Sequence, residues 1–410
     1  PRSSWADFDP TVISKGGGVF ARSEKRIDLT EDAREALGIA ADISALTPAE
    51  LISHILRAPV DILWNGGIGT YVKATSQTHA DVGDRANDAI RINGSELRCK
   101  IIGEGGNLGL TQLGRIEAAL NGVRLNTDAI DNSAGVDTSD HEVNLKILVG
   151  LRRSLGYEDR NELLRSMTDD VAALVLHDNI AQNEVLTFAH AQAHSMLTVH
   201  GRLIEAWEHA GSLNRTLEAL PDQAELSRRN AVGIGLTRPE LSVLLAHAKL
   251  ALTQELLAGS AINGDWAQEW LLDYFPQRLR ESWREEIVSH PLRREIIATV
   301  IANRVINSAG ITSVFRLTEE TGLSSESAAV ALLSAMKVSG LDDLRGLLAS
   351  SEVSWDARIA AMLEARRYVD RTARWLLAHR CSAEQLVTHL DRLSEVVKTV
   401  RSLKIGRAHV

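Results

Sequence analysis

Cysteine is almost missing from this chain of 410 residues. Cys99 and Cys381 stand far apart, with no other Cys or His at ligand spacing. That excludes a disulfide framework and a thiolate zinc site, and it points to a reducing, cytoplasmic compartment. Long apolar runs are missing too. None approaches the roughly 18 residues of a membrane-spanning helix, and the start Pro1-Arg2-Ser3-Ser4-Trp5 holds no signal-peptide core, so no membrane partner is expected. Positive charge is in deficit: 45 basic against 54 acidic residues give a net charge of -9. No nucleic-acid partner is expected from such a field, which leaves small molecules or proteins. No fixed-period repeat is present. An initiating Met is absent, so the chain is expected to be a piece of a longer protein or an incomplete gene product. Residues 404–410, Lys-Ile-Gly-Arg-Ala-His-Val, read as a translated sequencing adapter and are set aside as a non-native tail.

What is present is a repeated pattern of short apolar strands ending in permissive turns. Ile101-Ile102 runs into Gly103-Glu-Gly-Gly-Asn-Leu-Gly109, Val60 to Trp64 runs into Asn65-Gly-Gly-Ile-Gly-Thr70, and Val123 to Thr127 runs into Asp128 to Gly135. Helix-length segments separate them. Just ahead of the Val60 strand, Thr47-Pro48-Ala49-Glu50 opens a further helix with a capping box and a proline in the first turn. This is the signature of a parallel βαβ sheet, in which ligands sit beyond the carboxyl ends of the strands and the three turns converge. The triple glycine at 16–18 lacks the Gly-Lys-Ser/Thr ending of a phosphate loop and reads as a flexible loop. From about Glu142 onward Leu, Ala, Arg and Glu recur at helical spacing and no comparable strand pattern follows. The expected fold is α/β followed by all-α. Residues 1–160 form part of a Rossmann-like parallel-sheet domain, residues 161–403 a helical C-terminal domain.

Among side chains that could carry chemistry, Asn107 stands out. The Gly103 to Gly109 run fails the Gly-x-Gly-x-x-Gly fingerprint by one position, so its glycines are as well explained by a tight turn as by a phosphate cradle. Asn107 is not needed for such a turn, and its amide offers a donor and an acceptor. Gly105, Gly106 and Gly67, which let a ligand approach the main chain, are assigned with it to cofactor binding. Ser139-x-x-Glu142 reads as a capping box, and a helix N-terminus there would also favour a substrate carboxylate near Ser139. Asp128, Asp131, Asp137 and Asp140 lack the spacing of a calcium loop, so no metal is assigned. Asp84-Arg85 and Asn87-Asp88 read as a solvated or salt-bridged surface. His190 and His194 lack the glutamate of a zinc motif and read as a partly buried cluster with His177 and His200; Trp266, Trp270, Tyr274 and Phe275 read as core.

Four stretches together, Asp61 to Lys73, Val82 to Asp88, Gly103 to Gln112 and Thr127 to Asn144, resemble the large bacterial NAD-specific glutamate dehydrogenases. The resemblance is dense over residues 1 to about 150 and looser beyond. It implies an enzyme that interconverts L-glutamate with 2-oxoglutarate and ammonia using NAD, in a very long chain that forms homo-oligomers. Glu104-Gly-Gly-Asn107 is similar to the family's segment whose asparagine approaches the nicotinamide ribose. Asn132, Gly135, Val136 and Ser139 match a stretch whose asparagine lies near the nicotinamide and whose serine holds the substrate's side-chain carboxylate. Thus Asn132 is assigned to both cofactor and substrate and Ser139 to substrate. The family's catalytic lysine and aspartate and its diphosphate loop have no counterpart here, so no catalytic residue is assigned and the piece alone is expected to be inactive. The rival reading is a helical oligomerisation or regulatory module attached to a degenerate α/β domain.

Overall fold

A computed structural model of the chain describes residue 4 and residues 7–379; Cys381 and the 404–410 tail lie outside these described residues. The first elements follow local sequence signals. Two short strands, β1 (Ile27–Asp28) and β2 (Ala45–Leu46), pair antiparallel around helix α1 (Glu31–Leu37). The Thr30 hydroxyl caps α1, and Gly38 ends it at φ 61°, a left-handed conformation that glycine adopts without cost. Helix α2 (Pro48–Leu56) begins at the expected capping box: the Thr47 amide donates to Glu50 Oε2 at 2.8 Å and Thr47 accepts from the Glu50 amide in return.

Strands β3 (Ile62–Asn65), β4 (Val72–Lys73), β5 (Ile92–Asn93) and β6 (Ile101–Glu104) follow, with the one-turn helix α3 (His79–Val82) between β4 and β5. β3 pairs with β6 and β4 with β5, both parallel, with Ile62 opposite Ile101 and Asn65 opposite Glu104. Val72, Ile92, Leu97, Ile102, Leu110, Ala118, Val123 and Leu125 form the core beneath them. On the opposite face of the β3–β6 pair Ile62, Trp64 and Ile101 remain exposed. The expected third strand at 123–127 is reduced to a single bridge from Arg124 to Ile101. Arg124 exchanges bonds with Lys100 and Ile102, after which Thr127 already accepts from the Ile130 and Asp131 amides and starts a helix instead. Helices α4 (Gln112–Leu120) and α5 (Asp128–Asp131) complete this part.

Thereafter every regular element among the described residues is helical: α6 (Ser133–Leu151), α7 (Tyr157–Ser166), α8 (Thr168–Ala191), α9 (Leu197–His209), α10 (Gln223–Ala231), α11 (Arg238–Ala258), α12 (Gln268–Tyr274), α13 (Arg284–Val288), α14 (Arg293–Ala309), α15 (Ser313–Thr321), α16 (Ser325–Ser339), α17 (Leu341–Ala349) and α18 (Trp355–Ala378). This is the expected succession of α/β and then all-α. The chain divides into two compact units, residues 1–133 with 216–220 and 237–242, and the remaining residues. α16 is buried almost all round, from Ala328 to Met336, as its continuous small and apolar run requires. α11 is long and apolar enough to cross a membrane by length and composition, but Leu241, Leu244, Leu245, Leu252 and Leu256 are spent on the protein interior. His190 and His194 do not form the expected half-buried cluster. α8 ends at Ala191 between them and both are exposed, whereas His200 is buried.

Candidate functional site

The parallel pairing of β3 with β6 brings two glycine-rich turns side by side. The Gly106 amide donates to the Asn65 carbonyl at 2.9 Å, and a Cβ at Gly106 would overlap the Gly67 carbonyl, so the two backbones touch where side chains would have held them apart. Thr70 Oγ1 donates to the Leu108 carbonyl at 2.8 Å, tying the far ends of the turns. The third turn closes from above the strand ends: Asp131 accepts from the Glu104 amide at 3.0 Å and Asp128 from the Leu108 amide at 2.7 Å. The three turns converge as the strand pattern requires.

At their meeting point Asn132 Nδ2 donates to Asn107 Oδ1 at 2.6 Å. Gly67, Gly106, Asn107 and Asn132 are therefore one cluster, with Gly105 exposed beside them. Asn65, not singled out in the sequence, turns its side chain toward Gly109, where a Cβ would overlap it; its Nδ2 is buried and has no partner. Trp64 lies across the turn on the outer face, where a Cβ at Gly103 or at Gly105 would come within 2.6 Å of its indole.

Charged groups brace this arrangement from below. Glu104 and Arg115 form a buried two-bond ion pair at 2.6 and 2.9 Å, and Arg115 also lies 3.3 Å from Asp128. Burial pushes the Glu104 carboxyl up and Arg115 opposes it; burial pushes Asp131 up as well, against the hydrogen bond from Asn126. The first turn is held by Asp84, which accepts from the Thr70 amide at 2.9 Å and from Asn87 Nδ2 at 2.7 Å. Arg91, its side chain fully buried, donates to the Thr70 carbonyl at 2.8 Å and pairs with Asp88 at 2.6 Å. The 84–88 stretch is thus a bracket for the Asn65 to Thr70 turn rather than a bare solvated face. An arginine set between Ile90 and Ile92 was the one sequence hint of it.

Ser139 is placed differently from its expectation. α6 starts at Ser133, so Ser139 is the seventh residue of the helix, exposed, and forms no capping box. Glu142 pairs with Lys146 one turn on instead. Asp128 and Asp131 serve as acceptors for backbone amides, while Asp137 and Asp140 lie on α6 in the second unit.

Comparison with known proteins supplies the family. Residues 1–189 match the family described as bacterial NAD-glutamate dehydrogenase, catalytic domain, and residues 233–404 match the one described as glutamate dehydrogenase, C-terminal. The chain is 46% identical over 407 residues to an NAD-specific glutamate dehydrogenase of Mycobacterium tuberculosis, an alignment that covers 98% of this chain and 25% of that protein. It is 46% identical to that of Pseudomonas aeruginosa and 43% identical to that of Halomonas elongata, each over 385 residues, 93% of this chain and 24% of the relative. The chain spans about a quarter of the length of these relatives. On these matches it belongs to the bacterial NAD-specific glutamate dehydrogenase family.

Proposed function

We propose that this chain is the part of a longer glutamate dehydrogenase that supplies one wall of the NAD and glutamate pocket. In this reading the 1–160 region is half of a Rossmann-like domain, followed by a helical domain over 161–403. The enzyme oxidatively deaminates L-glutamate to 2-oxoglutarate and ammonia. The observation that carries the reading is the convergence of the turns that hold Gly67, Gly106, Asn107 and Asn132. A nicotinamide ribose and carboxamide suit it, because the Asn107 and Asn132 amides offer donors and acceptors and backbone without side chains admits a flat edge.

NAD, when bound, accepts the hydride from the substrate α-carbon. The chain's own contribution is positional. The Asn107 and Asn132 amides, already joined to each other, fix the nicotinamide end, and the exposed Ser139 hydroxyl donates to the substrate's distal carboxylate. The same proposal covers a homo-oligomeric, cytoplasmic enzyme. Among the described residues the only cysteine, Cys99, is a buried free thiol, as suits a reducing compartment, and light scattering on the full-length enzyme tests the assembly.

Steady-state kinetics of the full-length enzyme test the site. Asn107→Ala is expected to raise KM for NAD, and Ser139→Ala to raise KM for glutamate by roughly tenfold or more, the worth of one charge-assisted hydrogen bond. Unchanged kinetics in both variants would leave only a non-catalytic module.

A further inference from the structure

The helical unit contains a cavity of about 610 Å³ that the proposed reaction does not use. One wall is a single face of α6, where Asp137, Asp140, His141 and Asn144 recur at helical spacing. Asp178 of α8 and Tyr274 of α12 line the same space. The His141 ring stacks on Tyr274 with centroids 4.3 Å apart, and Asn144 Nδ2 donates to the Tyr274 hydroxyl at 2.9 Å, which fixes both side chains.

The polar atoms left without a partner in this lining are mostly acceptors, His141 Nδ1, Asn144 Oδ1 and Asn307 Oδ1, beside one donor, Arg345 Nε, which lies 3.5 Å from Glu184. His141 is only 3% exposed and its Nδ1 has no partner; Asn144 Oδ1 has none either. Burial lowers the His141 pKa to about 4, so the ring is neutral. Its Nε2 lies 3.8 Å from Asp137 Oδ1, beyond hydrogen-bond reach, and a neutral ring carries one acceptor nitrogen. The carboxylates are short of counter-charge. Among the described residues neither Asp137, Asp140 nor Asp178 forms an ion pair with lysine or arginine; Lys249 acts on Asp137 and Asp178 from beyond contact distance. The arginines that line the cavity are each answered elsewhere, Arg280 by Asp273, Arg304 by Asp342 and Arg345 by Glu184. Among the described residues no group of three or more His, Cys, Asp or Glu is arranged to hold a metal.

We propose that this cavity binds a small organic cation with N–H donors, a primary ammonium or guanidinium compound. Its charge answers Asp137, Asp140 and Asp178, its hydrogens go to Asn144 Oδ1 and His141 Nδ1, and Tyr274 offers an aromatic wall. A cavity whose unpaired groups on the α6 face are acceptors and carboxylates favours a ligand that donates there. The site lies wholly in the helical unit, so it stands or falls separately from the NAD reading.

Titration calorimetry on the full-length enzyme tests it with n-butylammonium and n-butylguanidinium as probes. Tetramethylammonium, which has charge but no N–H, and neutral n-butanol are the controls. Both N–H cations are expected to bind and both controls to give no heat. Asp140→Asn, at an exposed position that does not endanger folding, and Asp137→Asn should each weaken binding roughly tenfold or more. His141→Phe keeps the ring on Tyr274 but removes the acceptor, and should weaken binding as well. Absence of heat with both cations, equal binding of tetramethylammonium, or unaltered affinity in Asp140→Asn would each overturn the proposal. Should Asp137→Asn fail to fold, Asp140→Asn decides alone.

Discussion

Glu104 and Arg115 meet in the interior at the end of β6, and the glycine turn above them is only as rigid as that pair. A buried ion pair contributes little over a well-packed apolar pair, but removing one member strands the other in a medium that cannot solvate it. Arg115→Met is therefore expected to cost about 3–5 kcal/mol by urea denaturation, and adding Glu104→Leu should return part of that loss. A double variant as unstable as Arg115→Met would show that the pair is not the support. Single side chains were unevenly legible in the sequence. Asn107 stood out because an amide in a glycine-rich turn has no local task, whereas Asn132 was marked only by its resemblance to the family's stretch. Glu104 and Asn65 did not, since their meaning depends on neighbours supplied by pairing of distant strands: Arg115 for one, Gly106 and Gly109 for the other.

Helix starts separate into two kinds. At Thr47 the cap, the proline and the returning glutamate lie within four residues, and the structure has them as read. Thr47→Ala should lower stability by about 0.5–2 kcal/mol. At Ser139 the cap residue and the glutamate recur without the proline, but α5 and the Asn132 turn feed directly into α6 at Ser133, and the helix is already under way when Ser139 is reached. Ser139→Ala is accordingly expected to change stability by less than about 0.5 kcal/mol, the range for an exposed surface position. Thermal melts of the two variants side by side check this, and a loss at Ser139 equal to that at Thr47 would restore the cap. Strand 123–127 fails for a related reason: its apolar residues are right for a strand, but only Arg124 finds a partner before the chain bends into α5.

At the scale of the whole chain, buried titratable groups set a pH window. Burial lowers the His200 pKa to about 4, whereas the unfolded chain protonates near the ordinary 6.5, so between these values the unfolded state binds the extra proton. The stability His200 contributes is fully present above pH 6.5 and is lost as the pH falls to about 4, on the order of 3 kcal/mol. Asp137 works the other way. Its pKa is raised to about 6 by burial and by the nearby Asp178 and Asp140, so the folded state takes up the proton first and gains stability on acidification. Urea midpoints measured from pH 7 to pH 4 should fall more gently in His200→Gln than in the parent chain and more steeply in Asp137→Asn; parallel curves would mean that neither group is shielded as described.

The exposed indole of Trp64 on the outer sheet face also ties three positions into one evolutionary unit. Because a Cβ at Gly103 or Gly105 would meet its indole, an exchange of either glycine must move the tryptophan off the turn or come with a smaller residue at 64. Drift at these three positions is therefore coupled, and a sequence with alanine at 103 or 105 beside tryptophan at 64 would carry its indole away from the turn.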